Sequence, residues 1–335
     1  MATGVITYAL CTWRHLTSLQ ATPPKPRFQA INRPPLRGQQ MASRATRLAY
    51  DRATREAAGL PRRFRGVVAY DGTSYVGWQT QPSGRGLQDV IEARLSALFG
   101  GRVYVAGSGR TDKGVHARGQ VFHFEPPEEQ STKAAPHVAS VLQDDDQLAA
   151  VLERTLSGLS SGLPSDVQVL RVQPAPAGFH ARDSCVGKRY VYTVQEGVAS
   201  PMTARYRWVL GAGKRLDVPA MAEAAARLVG MHDFSTFGVR HPSDPRCPLK
   251  RMRRLEVRRV RMIDPVASAA VAEGGVGGDG CSVGDDVVTI CAECDRFLYN
   301  MMRLLSGTLV QVRPCSSHRR FRTHPPARKL SHSPA

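Results

Sequence analysis

The order of apolar patterns between residues 64 and 172 limits the possible folds of this chain more than any other feature. Strand-like runs lie at 64–70, 102–106, 119–125 and 166–172. Helical stripes separate them, formed by Leu87, Val90, Ile91, Leu95, Leu98 and Phe99 and then by Leu148, Val151, Leu152, Leu156 and Leu159. The resulting β-α-β-β-α-β order is that of a split β-α-β unit.

A second unit begins in the same way after residue 176. Its patterns predict strands at 187–194, 253–262 and 286–292, a helix from Pro219 to Gly230 and a last helix over about 296–310. A full repeat needs one more strand, and no apolar pattern follows Val312. We therefore expect an α+β fold of two split β-α-β (ferredoxin- and RRM-like) halves with mainly antiparallel sheets flanking a cleft, with the final strand of the second half missing.

Most of the formal net charge of +18 lies at the two ends of the chain. Residues 1–65 hold 12 Lys or Arg against two acids, and residues 313–335 hold six and none. The first fifty residues lack Asp and Glu, which is typical of an organellar transit peptide, although a plain disordered extension remains open. We expect residues 1–60 to be disordered and the destination to be a chloroplast or mitochondrion, the chloroplast being slightly favoured. No apolar run is long enough to span a bilayer, so we expect no membrane association.

The seven cysteines are an odd number and are scattered, which favours reduced thiols over a disulfide framework. Cys291 and Cys294 have zinc-knuckle spacing, but they end a strand-like run and lack a second ligand pair at a suitable distance. We therefore expect no metal site at these cysteines.

The loop Gly107–Ala117, GSGRTDKGVHA, concentrates functional groups. Its glycines allow close approach of a polar ligand, and Asp112 stands between Arg110 and Lys113. A solvated surface turn remains the alternative from composition alone. A basic stretch at 246–261, which includes Arg251 and Arg254, is equally open between a phosphate-binding track and a solvated strand face.

Six motifs in order resemble the TruA family of tRNA pseudouridine synthases and cover about residues 64–312. They are YDGTSYVGWQTQ from Tyr70, GRTDKGVHA from Gly109, FHAR from Phe179, KRYVY from Lys188, HDF from His232 with Phe237, and the segment Phe297–Gly307. The resemblance implies isomerisation of uridine to pseudouridine in the anticodon stem-loop of tRNA, the family's positions 38 to 40, by a homodimer without cofactor or metal.

The resemblance also implies roles for individual residues. Asp112 corresponds to the catalytic aspartate, Arg303 to an arginine that pairs with it, and Tyr190 to the tyrosine packed against the flipped uracil. Arg110 corresponds to the residue that fills the vacated stack. Further candidate RNA-binding residues are Arg182, Lys188, His116, Arg251 and Arg254. For His116, as for Thr111 and Gln79, a hydrogen bond that braces the loop is an equally good interpretation.

These roles give the expected organisation of the chain. Residues 62–175 form the N-terminal catalytic half, 176–312 the C-terminal RNA-binding and catalytic half, and 313–335 a basic tail unlike the family. The family's last strand carries a leucine on the other side of the target base, and nothing after Val312 matches it. We therefore expect a compromised chain, from a retained intron, a frame shift or a faulty gene model. The alternatives to an active enzyme are an RNA-binding homologue with impaired catalysis and a chain too unstable to accumulate.

Overall fold

The computed structural model describes residues 57, 59, 62–127, 133–158, 162–239, 247–263 and 284–313. The expectations for 1–60 and for the basic tail fall almost wholly outside these residues. Within them, no helix is long and apolar enough to cross a membrane.

The N-terminal half has the predicted split β-α-β order. Its elements are β1 (Phe64–Tyr70), α1 (Leu87–Phe99), β2 (Val105–Gly107), β3 (Ala117–Phe124), α2 (Pro136–Ala139), α3 (Asp145–Ser157) and β4 (Val167–Pro174). The strands form an antiparallel sheet in the order β2-β3-β1-β4. Asp144 caps α3 by accepting hydrogen bonds from the amides of Asp146 and Gln147.

The C-terminal half repeats this plan with additions. Its elements are β5 (Lys188–Gln195), α4 (Pro201–Ala204), β6 (Trp208–Val209), α5 (Val218–Ala226), β7 (Gly230–Asp233), β8 (Leu249–Ile263), β9 (Gly284–Cys294) and α6 (Met301–Val310). The sheet order is β6-β5-β9-β8-β7, and only the short β5–β6 pair is parallel. The expected α+β class and mainly antiparallel sheets are thus confirmed.

Each half encloses its own apolar core between its sheet and its helices. Phe64, Phe122 and Phe124 stack in the first core under Leu95 and Leu152. A β-carbon at position 66 would overlap the ring of Phe122, so a glycine on β1 makes this packing possible. In the second core, Val194, Met252, Ile290 and Leu305 are fully buried.

The main departures from the sequence prediction lie in the C-terminal half. Gly230, expected to end a helix, begins the edge strand β7 instead, with a φ of 123°. The last helix starts at Met301, because Asn300 before it adopts a left-handed conformation with a φ of 58°. The described residues end at Arg313 and contain no strand after α6. The outer edge of β5 pairs there only with β6, at Val194 and Gln195.

The segment 175–186 joins the halves by lying against β3. The Ala181 amide donates a 3.1 Å hydrogen bond to Nδ1 of His123, and the His123 and His180 rings are 4.6 Å apart. Arg63 at the start of the N-terminal half donates to the Phe179 carbonyl. These contacts hold the two sheets so that one cleft opens between them.

Candidate active site

A cleft of about 920 Å³ lies between the two halves. Its walls come from five stretches of the chain: 76–81, 108–115, 182–190, 247–250 and 296–303. The first two belong to the N-terminal half and the others to the C-terminal half, so neither half could form the cleft alone.

The glycine loop is attached to the segment after β1 by backbone contacts. Gly77 and Asp112 form an isolated antiparallel bridge, and the Trp78 amide donates a 2.9 Å hydrogen bond to the Thr111 carbonyl. Gly77 has a φ of 121°, and a β-carbon there would lie 2.7 Å from that carbonyl oxygen, so only glycine fits. Trp78 is 2% exposed and belongs to the apolar core of the N-terminal half.

Two buried side chains fix the position of the loop, whereas the carboxylate of Asp112 is exposed. Thr111 is buried and its hydroxyl lies 2.9 Å from that of Tyr70, while Val115 is also buried. Asp112 between them is exposed and lines the cleft. The backbone of the loop is therefore anchored to the N-terminal half, and the Asp112 carboxylate faces the cleft.

Asp112 is the only acid among the described residues that line this cleft. Seven of these described lining residues are basic, namely Arg110, Lys113, Arg182, Lys188, Lys250, Arg296 and Arg303. Such an excess of positive charge suits a substrate that carries several phosphates.

Two aromatic rings form an apolar wall opposite the loop. Tyr190 on β5 and Phe297 meet edge to face, with ring centroids 4.6 Å apart and an interplanar angle of 85°. Tyr190 packs against both apolar cores, so its ring is held in place from both sides. Tyr192, two residues along the strand, is on the same side, and burial raises the pKa of Tyr192. The exposed part of this wall is an aromatic surface of the kind on which a base can stack.

Six of the nine predicted site residues line the cleft: Asp112, Arg303, Tyr190, Arg110, Arg182 and Lys188. Arg303 projects from α6 on the side away from its apolar stripe. Asp112 and Arg303 face the same cavity, and among the described residues no ion pair joins them.

His116, Arg251 and Arg254 are not among the lining residues. His116 is 5% exposed and lies next to Asp71, an arrangement that supports the loop-bracing interpretation. Arg254 on β8 pairs through two nitrogens with Glu256, at 2.5 and 2.7 Å. The structure therefore does not bring these three side chains to the site.

Sequence reasoning missed the loop Arg296–Asn300, all of which lines the cleft. Its apolar spacing continues that of α6, so only the left-handed Asn300 separates it from the helix.

Lys250 was missed as well. It is 8% exposed, and its ammonium donates to the carbonyls of Cys247 and Leu249. Its only signal was its place in the basic stretch.

The CxxC spacing has a structural explanation. Cys294 packs in the core of the C-terminal half, where burial raises its thiol pKa to about 12. Cys291 lies on the other face of β9, near Arg254 and Arg189. The two sulfurs cannot converge on one metal ion. No cluster of three potential metal ligands occurs among the residues that the structure describes.

Comparison with known proteins gives consistent matches. A family model described as tRNA pseudouridine synthase matches residues 67–156 and 224–323. The chain is similar to proteins named tRNA pseudouridine synthase A from Myxococcus xanthus (37% identity over 251 residues, 75% of this chain and 77% of the relative) and Geobacter sp. strain M21 (34% over 252 residues, 75% and 83%). A third, from Syntrophotalea carbinolica, is 36% identical over 247 residues, which cover 73% of this chain and 79% of the relative.

Proposed function

Because the chain belongs to the TruA family of tRNA pseudouridine synthases, we propose that it isomerises uridine to pseudouridine in tRNA with Asp112 as the catalytic residue. The observation that carries the proposal is the composition of the cleft: one exposed carboxylate on a rigid loop, faced by cations and an aromatic wall. The substrate uridine lies in the anticodon stem-loop.

The reaction is an isomerisation, so no co-reactant is consumed. The bond between uracil N1 and ribose C1′ breaks, a bond between C5 and C1′ forms, and the proton on C5 is finally replaced by one on N1. A carboxylate can promote this covalently, acting on the sugar or on the base, provided that it is anionic. Asp112 is placed to do so because its neighbours Thr111 and Val115 anchor the loop.

The other lining residues bind and orient the RNA. A uridine inside a stem must leave its stack to reach Asp112. Tyr190 supplies a face for the extruded base, and the planar guanidinium of Arg110 suits the vacated place in the stack. Arg182 and Lys188 contact phosphates, and Arg303 orients the Asp112 carboxylate once RNA fills the cleft. The enzyme acts as a homodimer, with tRNA bound across both subunits.

The destination of the protein is an organelle, with the chloroplast favoured. The acid-free, Arg-containing composition of the first fifty residues supports this. Residues 1–60 fused to a fluorescent protein should direct it to chloroplasts or mitochondria. Diffuse fluorescence would contradict the proposal.

The catalytic proposal is tested with an unmodified tRNA transcript and carbodiimide mapping of pseudouridine. The wild-type protein should modify the anticodon stem-loop, and Asp112→Asn should reduce product to background while keeping tRNA affinity and melting temperature. Asp286→Asn is the matched control, since Asp286 is exposed on β9 and does not line the cleft.

A second candidate is an RNA-binding homologue that does not catalyse. It is favoured by the outer edge of β5, which the described residues cover only at Val194 and Gln195. Tight tRNA binding by the wild-type protein without product would support this alternative over the enzyme.

A further inference from the structure

A hydrogen-bonded cluster outside the cleft lining joins the two halves. Its centre is Asp71, which follows β1. Oδ1 of Asp71 accepts hydrogen bonds from the Thr73 amide at 2.9 Å and the Thr73 hydroxyl at 2.6 Å, and it lies 2.9 Å from Nδ1 of His116. Oδ2 accepts a 2.5 Å hydrogen bond from the hydroxyl of Tyr206. Three of these residues belong to the N-terminal half, and Tyr206 belongs to the C-terminal half.

The protonation of His116 follows from its neighbours. Nδ1 lies 3.2 Å from the Gly72 amide and 2.9 Å from the Asp71 carboxylate, and one nitrogen cannot accept from the first while donating to the second. The contact with the carboxylate is shorter and charge-assisted, so we assign the proton to Nδ1. Burial lowers the pKa of His116, although Asp71 opposes this, so the ring is a neutral donor at neutral pH.

Asp71 itself is an ionised acceptor. Partial burial alone would raise its pKa, but the hydrogen bonds from Thr73 and Tyr206 outweigh burial and lower it. The carboxylate therefore accepts from all its partners at once. Hydrogen bonds to an ionised acceptor are roughly twice as strong as neutral ones.

The cluster reaches the catalytic loop through its C-terminal end. His116 lies four residues after Asp112, and the Val115 amide donates a 3.1 Å hydrogen bond to the Asp112 carbonyl. A β-carbon on Gly72 would overlap the Val115 carbonyl, so the chain beside Asp71 is packed directly against the loop. A shift of Asp71 therefore moves the turn that carries the catalytic carboxylate.

Tyr206 gives this cluster a fixed point in the C-terminal half. Its ring packs against His116 with centroids 5.1 Å apart. The next residue, Arg207, is buried and donates a 2.8 Å hydrogen bond to Gln195 on β5. Trp208 then packs edge to face against Tyr192 of the same strand. The Tyr206 hydroxyl is thus tied to the strand that carries Tyr190.

We propose that Tyr206 is a positioning residue of the cleft: through Asp71 and His116 it sets where the loop bearing Asp112 stands relative to Tyr190 and Arg303. This rests on the proposed function for its catalytic consequence. Misplacement of a reacting group by about 1 Å can cost about a hundredfold in rate, and loss of one hydroxyl leaves the other contacts of the cluster in place. Tyr206→Phe should therefore lower kcat by roughly tenfold to a hundredfold and leave the KM for tRNA within about twofold.

The test uses Tyr206→Phe with Tyr104→Phe as the matched control, because Tyr104 is exposed and does not line the cleft. Asp71→Asn should give a similar loss of kcat, and the double variant Asp71→Asn/Tyr206→Phe should be little worse than either single one. An unchanged kcat, or a raised KM with unchanged kcat, would overturn the proposal, as would fully additive losses.

A second measurement keeps this test separate from the proposed function. Amide hydrogen exchange at 111–116 should be faster in Tyr206→Phe than in the wild type, at equal melting temperature, whether or not tRNA is modified. If the wild-type protein has no activity on tRNA but exchange at 111–116 is still faster in Tyr206→Phe than in the wild type, the proposed function alone is refuted. Unchanged exchange in the loop would refute the positioning role of Tyr206.

Discussion

Lys188, the first residue of β5, lies directly over Gly109 of the glycine loop, so close that a β-carbon on Gly109 would overlap the Lys188 ammonium. The two residues belong to different halves and both line the cleft. The ammonium therefore lies beside the loop that carries Asp112. A phosphate of an RNA bound in the cleft could contact the ammonium there. The absence of a side chain at Gly109 is what makes this position available.

Gly109→Ala should displace the Lys188 ammonium without unfolding the protein, because the atom that must move is the end of a flexible side chain. We expect the KM for tRNA to rise roughly tenfold, the size of one charge-assisted hydrogen bond. Gly101→Ala is the control, since its β-carbon would make only ordinary contacts, 3.4 Å and more, with Pro127. In a Lys188→Ala background, Gly109→Ala should have little further effect; an equal second loss would contradict this explanation.

Tyr190 should contribute through its ring more than through its hydroxyl. Its ring is fixed against Phe297 at 4.6 Å, and stacking of a base on an aromatic ring contributes about 1–3 kcal/mol. Tyr190→Leu should therefore weaken tRNA binding by roughly tenfold or more, and Tyr190→Phe should retain most of the affinity. Filter binding with each variant, checked for melting temperature, decides this. If Tyr190→Phe weakens tRNA binding as much as Tyr190→Leu does, the hydroxyl and not the ring makes the contribution to binding.

Arg182 should bind a phosphate and so affect the salt dependence of binding. Loss of one phosphate contact lowers the slope of log K against log salt concentration by about 0.7–0.9. We expect this decrease for Arg182→Ala, which removes an exposed cation from the cleft. Arg227→Ala should leave the slope unchanged, because Arg227 is exposed just after the end of α5, pairs with Glu223 and does not line the cleft. A slope unaffected by either substitution would place Arg182 outside the RNA contact.

The contact between the halves at His123 should make stability depend on pH. Burial, with the positive charges of Arg63 and His180 adding to it, lowers the pKa of His123 to about 4, while Asp183 opposes this shift. An unfolded histidine has a pKa of about 6.5, so the unfolded state binds more protons between these values. Stability is therefore complete above about pH 6.5 and falls as the pH drops toward 4.

His123→Asn keeps an acceptor for the Ala181 amide and removes the titrating ring. Between pH 7 and pH 4.5, the free energy of unfolding of the wild type should fall by about 2–3 kcal/mol more than that of the variant. Urea unfolding at both pH values measures this difference. Parallel decreases in the two proteins would show that His123 is not the group responsible.

The N-terminal half and its glycine loop were predictable from the sequence because their signals are local. The helical stripe from Leu87 to Phe99 and the strand pattern at 64–70 specify elements within one or two residues of those observed. The chemistry of Asp112, between glycines and cations, is likewise contained in a few consecutive residues. Edge strand β7 was missed, because Gly230 reads equally well as a helix end when its pairing with β8 is not known.

The participation of Arg296–Asn300 and Lys250 in the cleft could not be read from the chain. The first continues a helical apolar pattern that a single left-handed residue interrupts, and the second is one of many basic residues on a strand. Conversely, Arg254 and His116 were candidate RNA ligands for which the sequence left a purely structural role equally open, and the structure pairs them with Glu256 and Asp71. Pairing between side chains depends on which strands become neighbours, and sequence spacing does not contain that information.

Periodicity and composition were thus sufficient for the main strands and helices and for the concentration of glycines, cations and one carboxylate in the loop, because both depend on residues near each other in the chain. Which residues face Asp112 was decided only by tertiary structure. The cleft forms where two separately folded sheets are held together by segment 175–186 and by Asp71 and Tyr206. Their relative placement depends on contacts between residues more than fifty positions apart, such as His123 with Ala181.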